Sequence, residues 1–308
     1  MADSFRLQLR AGTATRSLQA LLQKSLARGH ISQLPELWQQ GRIRVEGKVA
    51  VADQPLCSGS RVDVELPGHY EQETDTRWRL LWENDALMVV FKPALLPVSR
   101  TTRNLYNTLI SLVRRETEYC EAQLLHRLDT ETAGLLLLAK DKAADKRYKP
   151  QLSQLIRRKL YRAWVSGEPQ WEQQLLEVEL SEKVGSAIRS QVYVVDPLQP
   201  EAYPKPKLSK TGFRVLRRES GKSLLECELF SGRKHQIRAS LAHLGYPVIG
   251  DKIYSHGGRY YLQRLQQPLQ EEDFARLGAG HQLLLAWGLE LNLPQGSVCI
   301  HCPPDCGY

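Results

Sequence analysis

The sequence predicts an α+β protein: a large, mainly antiparallel sheet preceded by a small N-terminal α/β domain. Three observations carry this prediction. From Trp78 onward, runs with strand character outnumber helical stretches. The helices that interrupt those runs are single, which suits antiparallel ladders better than repeating β-α-β units. A polar, acid-leaning stretch from Gly68 to Arg77 separates the first third of the chain from the rest. At 308 residues and 42% hydrophobic, the chain can bury one large core and one smaller one.

The elements follow in order. Leu18, Leu21, Leu22 and Leu26 recur at helical spacing, with Gly29 as a stop. Ser32 is placed to cap a second short helix carrying Leu34, Leu37 and Trp38, ended by Gly41. Arg42–Val45 and Val49–Val51 form two strands around Glu46-Gly47-Lys48, and Arg61–Leu66 sets Val62, Val64 and Leu66 on one face of a third. Beyond the linker, Arg79–Trp82 and Ala86–Phe91 flank the turn Asn84-Asp85. Leu105–Arg114 is amphipathic and Gly134–Ala139 is a buried apolar strand. Strands are expected at Tyr161–Val165, Leu175–Leu180, Gly212–Leu216, Ser223–Leu229 and Leu283–Leu293. Lys234–Leu244 reads as a helix stopped by Gly245, and Pro200–Pro206 as a loop. The resulting division is residues 1–67, a linker 68–77, a main domain 78–295 and a cysteine-containing tail 296–308.

Charge narrows the partners. The chain carries 42 basic and 34 acidic residues, a net charge of +8. Lys142–Arg162 holds eight basic side chains against Asp145 alone, and Lys205–Lys222 seven against Glu219 alone. Such clusters are either phosphate-binding surfaces or well-solvated faces. No apolar run approaches the roughly 20 residues needed to cross a bilayer, and no apolar signal core follows Met1, so no membrane partner is expected and the expected compartment is the cytosol. Cys57, Cys120 and Cys227 are scattered and read as reduced, partly buried residues. Cys299, His301, Cys302 and Cys306 crowd together, whereas structural zinc sites usually draw ligand pairs from separated loops; no metal is assigned.

Two stretches carry chemistry. In His126-Arg127-Leu128-Asp129-Thr130-Glu131-Thr132-Ala133-Gly134, a carboxylate stands between a polar turn and a buried strand, a place suited to a cleft floor or to a structural Asx-turn. In Gly232-Arg233-Lys234-His235-Gln236-Ile237-Arg238, several cations open the expected helix, where the helix dipole disfavours them by about 0.3–1 kcal/mol each. An anion, phosphate or carboxylate, is therefore expected at that helix end.

Together these stretches resemble the RluA family of pseudouridine synthases. His126–Gly134 is similar to the family's segment around its catalytic aspartate. Gly232–Asp251 is similar to its Gly-Arg-x-His-Gln-Ile-Arg helix with the following Gly-Tyr/His-Pro-x-x-Gly-Asp. Lys159-Leu160-Tyr161-Arg162-Ala163-Trp164-Val165-Ser166-Gly167 resembles the Lys-x-Tyr-x-Ala-x-Val-x-Gly strand, and Lys92-Pro93 with Leu96-Pro97-Val98 resembles the Lys-Pro-x-Gly-x-x-Val element. The motifs keep the family's order from Trp78 to about Leu293. The first third, best from Leu37 to Leu66, resembles an S-four-type RNA-binding module. Departures are Ala94-Leu95 for Ala-Gly, Ala133 for Ser, Lys234 for Thr, and Phe230-Ser231 before Gly232; they bear on substrate choice. Pro150 interrupts Asp141–Arg158, which the family makes helical, so a broken helix is expected there.

The resemblance implies isomerisation of uridine to pseudouridine in structured RNA, ribosomal RNA before transfer RNA, without a cofactor and by a monomer. It implies Asp129 as the nucleophile, Arg238 as its ion-pair partner and Tyr161 as a stacking residue able to help remove the ring proton. Ile237 would wall the base, Arg127 would fill the vacated stack, His126 would shape the adjoining surface, and Lys92, Arg233 and His235 would complete the substrate contacts. Arg157, Arg158 and Lys159, with Arg42, Arg44 and Lys48 of the N-terminal module, would grip phosphates. Competing readings are an RNA-binding assembly factor without turnover, a methyltransferase, for which no Gly-rich donor loop is found, and a hydrolase pairing Asp129 with Asp251.

Overall fold

A computed structural model describes residues 4–12, 15 and 17–306. The chain divides into two compact units. The first comprises Met1–Val90, Leu96–Arg127 and Leu137–Pro150, the second Phe91–Leu95, Leu128–Leu136 and Gln151–Tyr308.

The first unit opens with β1 (Ser4–Arg10), α1 (Leu18–Ser25), α2 (Arg28–Ile31), α3 (Leu34–Gln39), β2 (Ile43–Val45), β3 (Lys48–Val49) and β4 (Arg61–Pro67). The strands form a sheet in the order β1-β4-β2-β3. Leu7, Leu18, Leu22, Leu37, Ile43, Val62 and Val64 are buried together under the helices; each such side chain contributes about 1.5–3 kcal/mol by leaving water. Strand β1 was not expected, although Phe5, Leu7 and Leu9 alternate as a half-buried strand should. Ser17 caps α1 through the N–H of Ala20, whereas Ser32 closes α2 instead of opening α3, whose N-cap is Gln33. The unit continues through β5 (Arg79–Glu83), β6 (Leu87–Lys92), α4 (Leu109–Glu116), β7 (Gln123–Leu124), β8 (Ala133–Ala139) and α5 (Lys142–Tyr148). Thr108 caps α4 later than the amphipathic pattern suggested. A 3-10 turn at Lys149–Gln151 ends α5, as Pro150 requires.

The second unit takes up the first half of β8 and continues with α6 (Leu152–Leu155), β9 (Ile156–Ser166), β10 (Gln173–Ser181), β11 (Tyr193–Val194), β12 (Lys207–Glu219), β13 (Lys222–Leu229), α7 (Gln236–His243), α8 (Arg259–Gln266), α9 (Glu271–Leu277), β14 (Leu284–Leu293) and β15 (Gly296–His301). Its strands run β11-β10-β12-β13-β9-β14-β8, with β15 paired to β14. The register of β14 with β8 is parallel; the other registered pairs of this unit are antiparallel. This is the expected α+β architecture with a large, mostly antiparallel sheet.

Several elements differ from expectation. Strand β9 begins at Ile156 instead of Tyr161 because a charged run can alternate outward as readily as a polar one. Helices α8 and α9 lie in a stretch read as neither helix nor strand; α9 begins with a capping box between Gln270 and Asp273. Residues 296–301, read as part of a tail, form β15, and Cys302 is buried with its thiol directed to the Ala286 carbonyl at 3.4 Å. Cys227 is buried, Cys120 half-buried and Cys57 exposed.

Two backbone positions next to the site are strained or crowded. Gly134 has φ of 114°, and a Cβ there would lie 2.3 Å from the Ala286 carbonyl oxygen. Gly134→Ala must part β8 from β14, and urea unfolding is expected to show a loss above about 3 kcal/mol. Leu95 takes φ of 66° where the related motif has glycine. A left-handed leucine costs about 1–2 kcal/mol and glycine's extra unfolded freedom returns about half of that. Leu95→Gly is thus expected to stabilise the protein by about 0.5–1 kcal/mol in the same measurement.

Candidate active site

Asp129 lies in the turn before β8, closed by the Thr132 N–H donating to the Asp129 carbonyl at 3.1 Å. The turn is held from several sides. Lys92, fully buried, donates from Nζ to the carbonyls of Thr130 (3.0 Å) and Pro93 (2.8 Å). Gln282 donates from Nε2 to Thr132 Oγ1, and Glu131 receives Lys252 at 2.9 Å and Arg264 at 3.0 Å. A loop carboxylate is thereby placed as rigidly as one on a strand.

The Asp129 side chain keeps 32% of its surface open, while that of Arg238 keeps 6%. Arg238, in the first turn of α7, donates from Nη1 to Asp129 Oδ2 at 2.7 Å. Its Nε and Nη2 donate to Asp251 Oδ2 (2.6 Å) and Oδ1 (2.9 Å), a bidentate grip on a carboxylate with no exposed surface. Asp251 Oδ1 also accepts the N–H groups of Ile253 and Tyr254. Asp251 therefore aims the guanidinium, and its remaining N–H edge meets Asp129. The anion expected at the start of α7 comes from within the chain, as these two aspartates.

Burial works against the charge of Asp129, but Arg238 outweighs it and holds the carboxyl below its usual range. His235 Nε2 stands 3.8 Å from Asp129 Oδ2. Burial, then the neighbouring Arg238, lowers the His235 imidazole to about 4, so it is neutral at pH 7, and Arg238 is the cation hydrogen-bonded to Asp129. Tyr161, buried on β9, has its phenol pushed well up, first by burial and then by the charge of Asp129. It stays protonated and can donate or stack, but it is not a resident base. Burial brings the Lys92 ammonium down to about 7, with Asp129 opposing.

The arrangement is an ionised, partly open carboxylate backed by a rigid cation and an apolar, aromatic surround. It can add to or assist at an electrophilic carbon. It does not suit water activation by paired acids, because Arg238 and two backbone donors occupy Asp251 completely.

A family profile described as RNA pseudouridylate synthase matches residues 86–243, half of the chain. The chain belongs to that family. It is 30% identical to the dual-specificity RNA pseudouridine synthase RluA of Vibrio parahaemolyticus over 67% of this chain and 80% of the relative. It is 28% identical to ribosomal large subunit pseudouridine synthase D of Nitrosomonas europaea over 86% and 76%. The solved structure of human RNA pseudouridylate synthase domain containing 1 shares the fold, with a TM-score of 0.59 at 20% identity, covering 75% of this chain and 86% of that one.

Within the pseudouridine synthase framework, Asp129, Arg238 and His235 come together, with Tyr161 near enough to feel the Asp129 charge. Ile237 is buried on α7. Lys92 is fully buried and holds the turn through the Thr130 carbonyl. Arg127 is exposed, and His126 Nε2 accepts the Leu137 N–H at 3.1 Å, so His126 supports β8. Arg233 and Lys234 precede α7, because the left-handed His235 delays its start; Arg233 donates to the Leu208 carbonyl and Lys234 pairs with Glu182.

The basic clusters are less free than their sequence suggests. Arg157 pairs with Glu290, Arg158 bidentately with Glu228, Lys210 with Glu177 and Arg214 with Glu226, all across neighbouring strands. Such exposed pairs are worth about 0–1 kcal/mol and can yield to phosphate. Lys159 is half-buried, burial lowers its pKa, and no carboxylate among the described residues pairs with it. Arg44 and Lys48 are exposed on β2 and β3, and Arg42 donates to Gln40. Among the described residues, no three His, Cys, Asp or Glu side chains gather as a metal site, and no helix is long and apolar enough to cross a membrane. Sequence reasoning missed Asp251 as the aligner of Arg238. The signal was available in Gly250-Asp251, but only as part of a motif, since thirteen residues of separation say nothing about a bidentate pair.

Proposed function

We propose that this pseudouridine synthase isomerises particular uridines of structured RNA, ribosomal RNA first and transfer RNA second, in a cofactor-free reaction centred on Asp129. The observation that carries the reading is the Asp129–Arg238–Asp251 chain of hydrogen bonds, which keeps one carboxylate charged at an accessible surface. The reaction cuts the carbon–nitrogen glycosidic bond, turns the freed uracil and rejoins it through carbon. Asp129 adds to the ring or assists at the ribose. Tyr161 and Ile237 receive the base, and Arg127 fills the space left by the flipped nucleotide, a displacement that costs a few kcal/mol. The S-four-like reading of residues 1–67 makes them an RNA-binding module beside the linker 68–77 and the catalytic domain 78–295, acting as a monomer in the cytosol.

Mapping pseudouridines across all RNA in a strain deleted for this gene tests the assignment: specific sites should lose the modification and regain it on complementation. The binding role of the first module has its own test. Arg44→Glu combined with Lys48→Glu should weaken RNA binding and flatten the plot of log affinity against log salt by roughly 0.7–0.9 per lost phosphate contact. The single-turnover rate at saturating protein should not change.

A further inference from the structure

His235 adopts φ of 54° and ψ of 21° immediately before α7. A left-handed conformation at a residue other than glycine is strained and persists where the surroundings impose it. Here it sets the imidazole between Tyr254 and Asp129. Nδ1 is 3.1 Å from the Tyr254 hydroxyl, and the two rings meet edge to face at 5.7 Å. Nε2 is 3.8 Å from Asp129 Oδ2, beyond hydrogen-bond range.

The Tyr254 hydroxyl bears on which nitrogen carries the proton. Its oxygen accepts the Val192 N–H at 2.9 Å, and a backbone N–H can only donate. If His235 Nδ1 also donated, the phenol proton would be left without an acceptor among the described residues. With the phenol donating to Nδ1 instead, its proton has an acceptor and a neutral imidazole holds its own proton on Nε2. The charged and titratable groups facing this ring are Arg238, Asp129, Asp251, Lys234 and Tyr254. Burial and the Arg238 guanidinium oppose an imidazolium there.

We propose that Tyr254 locks His235 in the Nε2–H tautomer, making it a neutral hydrogen-bond donor to an oxygen of the uridine seated against Asp129, a uracil carbonyl by its reach beside the carboxylate. The proposal rests on the isomerase reading above. A neutral donor suits this place: an imidazolium would pair with Asp129 and compete with the substrate, whereas an N–H at 3.8 Å leaves the carboxylate free and waits for an acceptor. Tyr254 is a positioning residue, acting only through His235.

The test uses the full chain. Histidine-selective 15N spectra without RNA should show His235 Nδ1 as an acceptor and Nε2 protonated across the neutral range, and Tyr254→Phe should mix the two tautomers. With large-subunit ribosomal RNA and transfer RNA transcribed in vitro as probes, His235→Phe should lower the single-turnover rate about a hundredfold at unchanged RNA affinity. His235→Gln, whose amide restores an N–H at similar reach, should recover about tenfold of that loss. A proton found on Nδ1, or a wild-type rate in His235→Phe, overturns the proposal. Should the unaltered protein convert no uridine in either RNA, the isomerase reading falls, and the spectra, taken without RNA, still report separately on the tautomer.

Discussion

Asp129→Asn is expected to lower the single-turnover rate of pseudouridine formation by at least about 10⁴-fold while RNA affinity stays the same. The amide is nearly isosteric and can still accept the Arg238 N–H, but it carries no charge and is a poor nucleophile. The fold should tolerate it. Arg238 keeps its bidentate partner Asp251, so no buried guanidinium is orphaned, and Asp129 is already one-third open to solvent. Turnover and binding measured on the same preparation distinguish an enzyme from an assembly factor. Unchanged modification by the Asp129→Asn variant would remove Asp129 from the mechanism altogether.

Asp251→Asn should act on stability as well as on rate. Asp251 is completely buried and accepts two N–H groups from Arg238 and two from the backbone. Breaking one partner of a buried ion pair costs about 3–5 kcal/mol, because the remaining charge stays desolvated. For a chain of this size that is a fall in melting temperature of roughly 5–8 °C. Turnover per folded molecule should fall too, since the guanidinium loses its aim at Asp129.

The pH dependence follows with a definite sign. Burial opposes the charge of Asp251 and of Asp129, but Arg238 prevails, and both carboxyls lie below the ordinary range in the folded protein. A depressed folded pKa contributes stability that is complete above the unfolded value near ~3.9 and is lost as pH falls through the folded value. Wild-type stability should thus be flat around neutrality and drop in acid, and the acid limb should be shallower in Asp251→Asn. Urea unfolding at pH 7 and below pH 4 measures both; an equally steep acid limb in the variant would show that this carboxylate does not govern it.

Much of the fold was legible because periodicity is local. The alternation of Val62, Val64 and Leu66 and the apolar run Gly134–Ala139 mark their strands without reference to the rest of the chain. Strand β9 was only half recognised, since Arg157, Arg158 and Lys159 conceal an alternation that becomes visible once β13 and β14 lie on either side. Helix α8 carries an apolar pattern in Tyr260, Tyr261, Leu262 and Leu265 that went unrecognised, whereas the short α9 and β15 offer few apolar positions of their own.

By itself the sequence singled out the candidate groups: an aspartate in a polar turn, an arginine opening a helix and a tyrosine on a strand, in an order that marks the family. Tertiary structure alone decided what surrounds each of them. It brought Arg238 across 109 residues to Asp129, assigned Asp251 to aim it, withdrew Lys92 behind the turn and paired much of the basic clusters with carboxylates. The physical reason is range. Hydrophobic periodicity acts over a few residues, whereas ionisation and aim depend on which charges meet within about 3 Å in a poorly solvated place, and only the folded chain sets those distances.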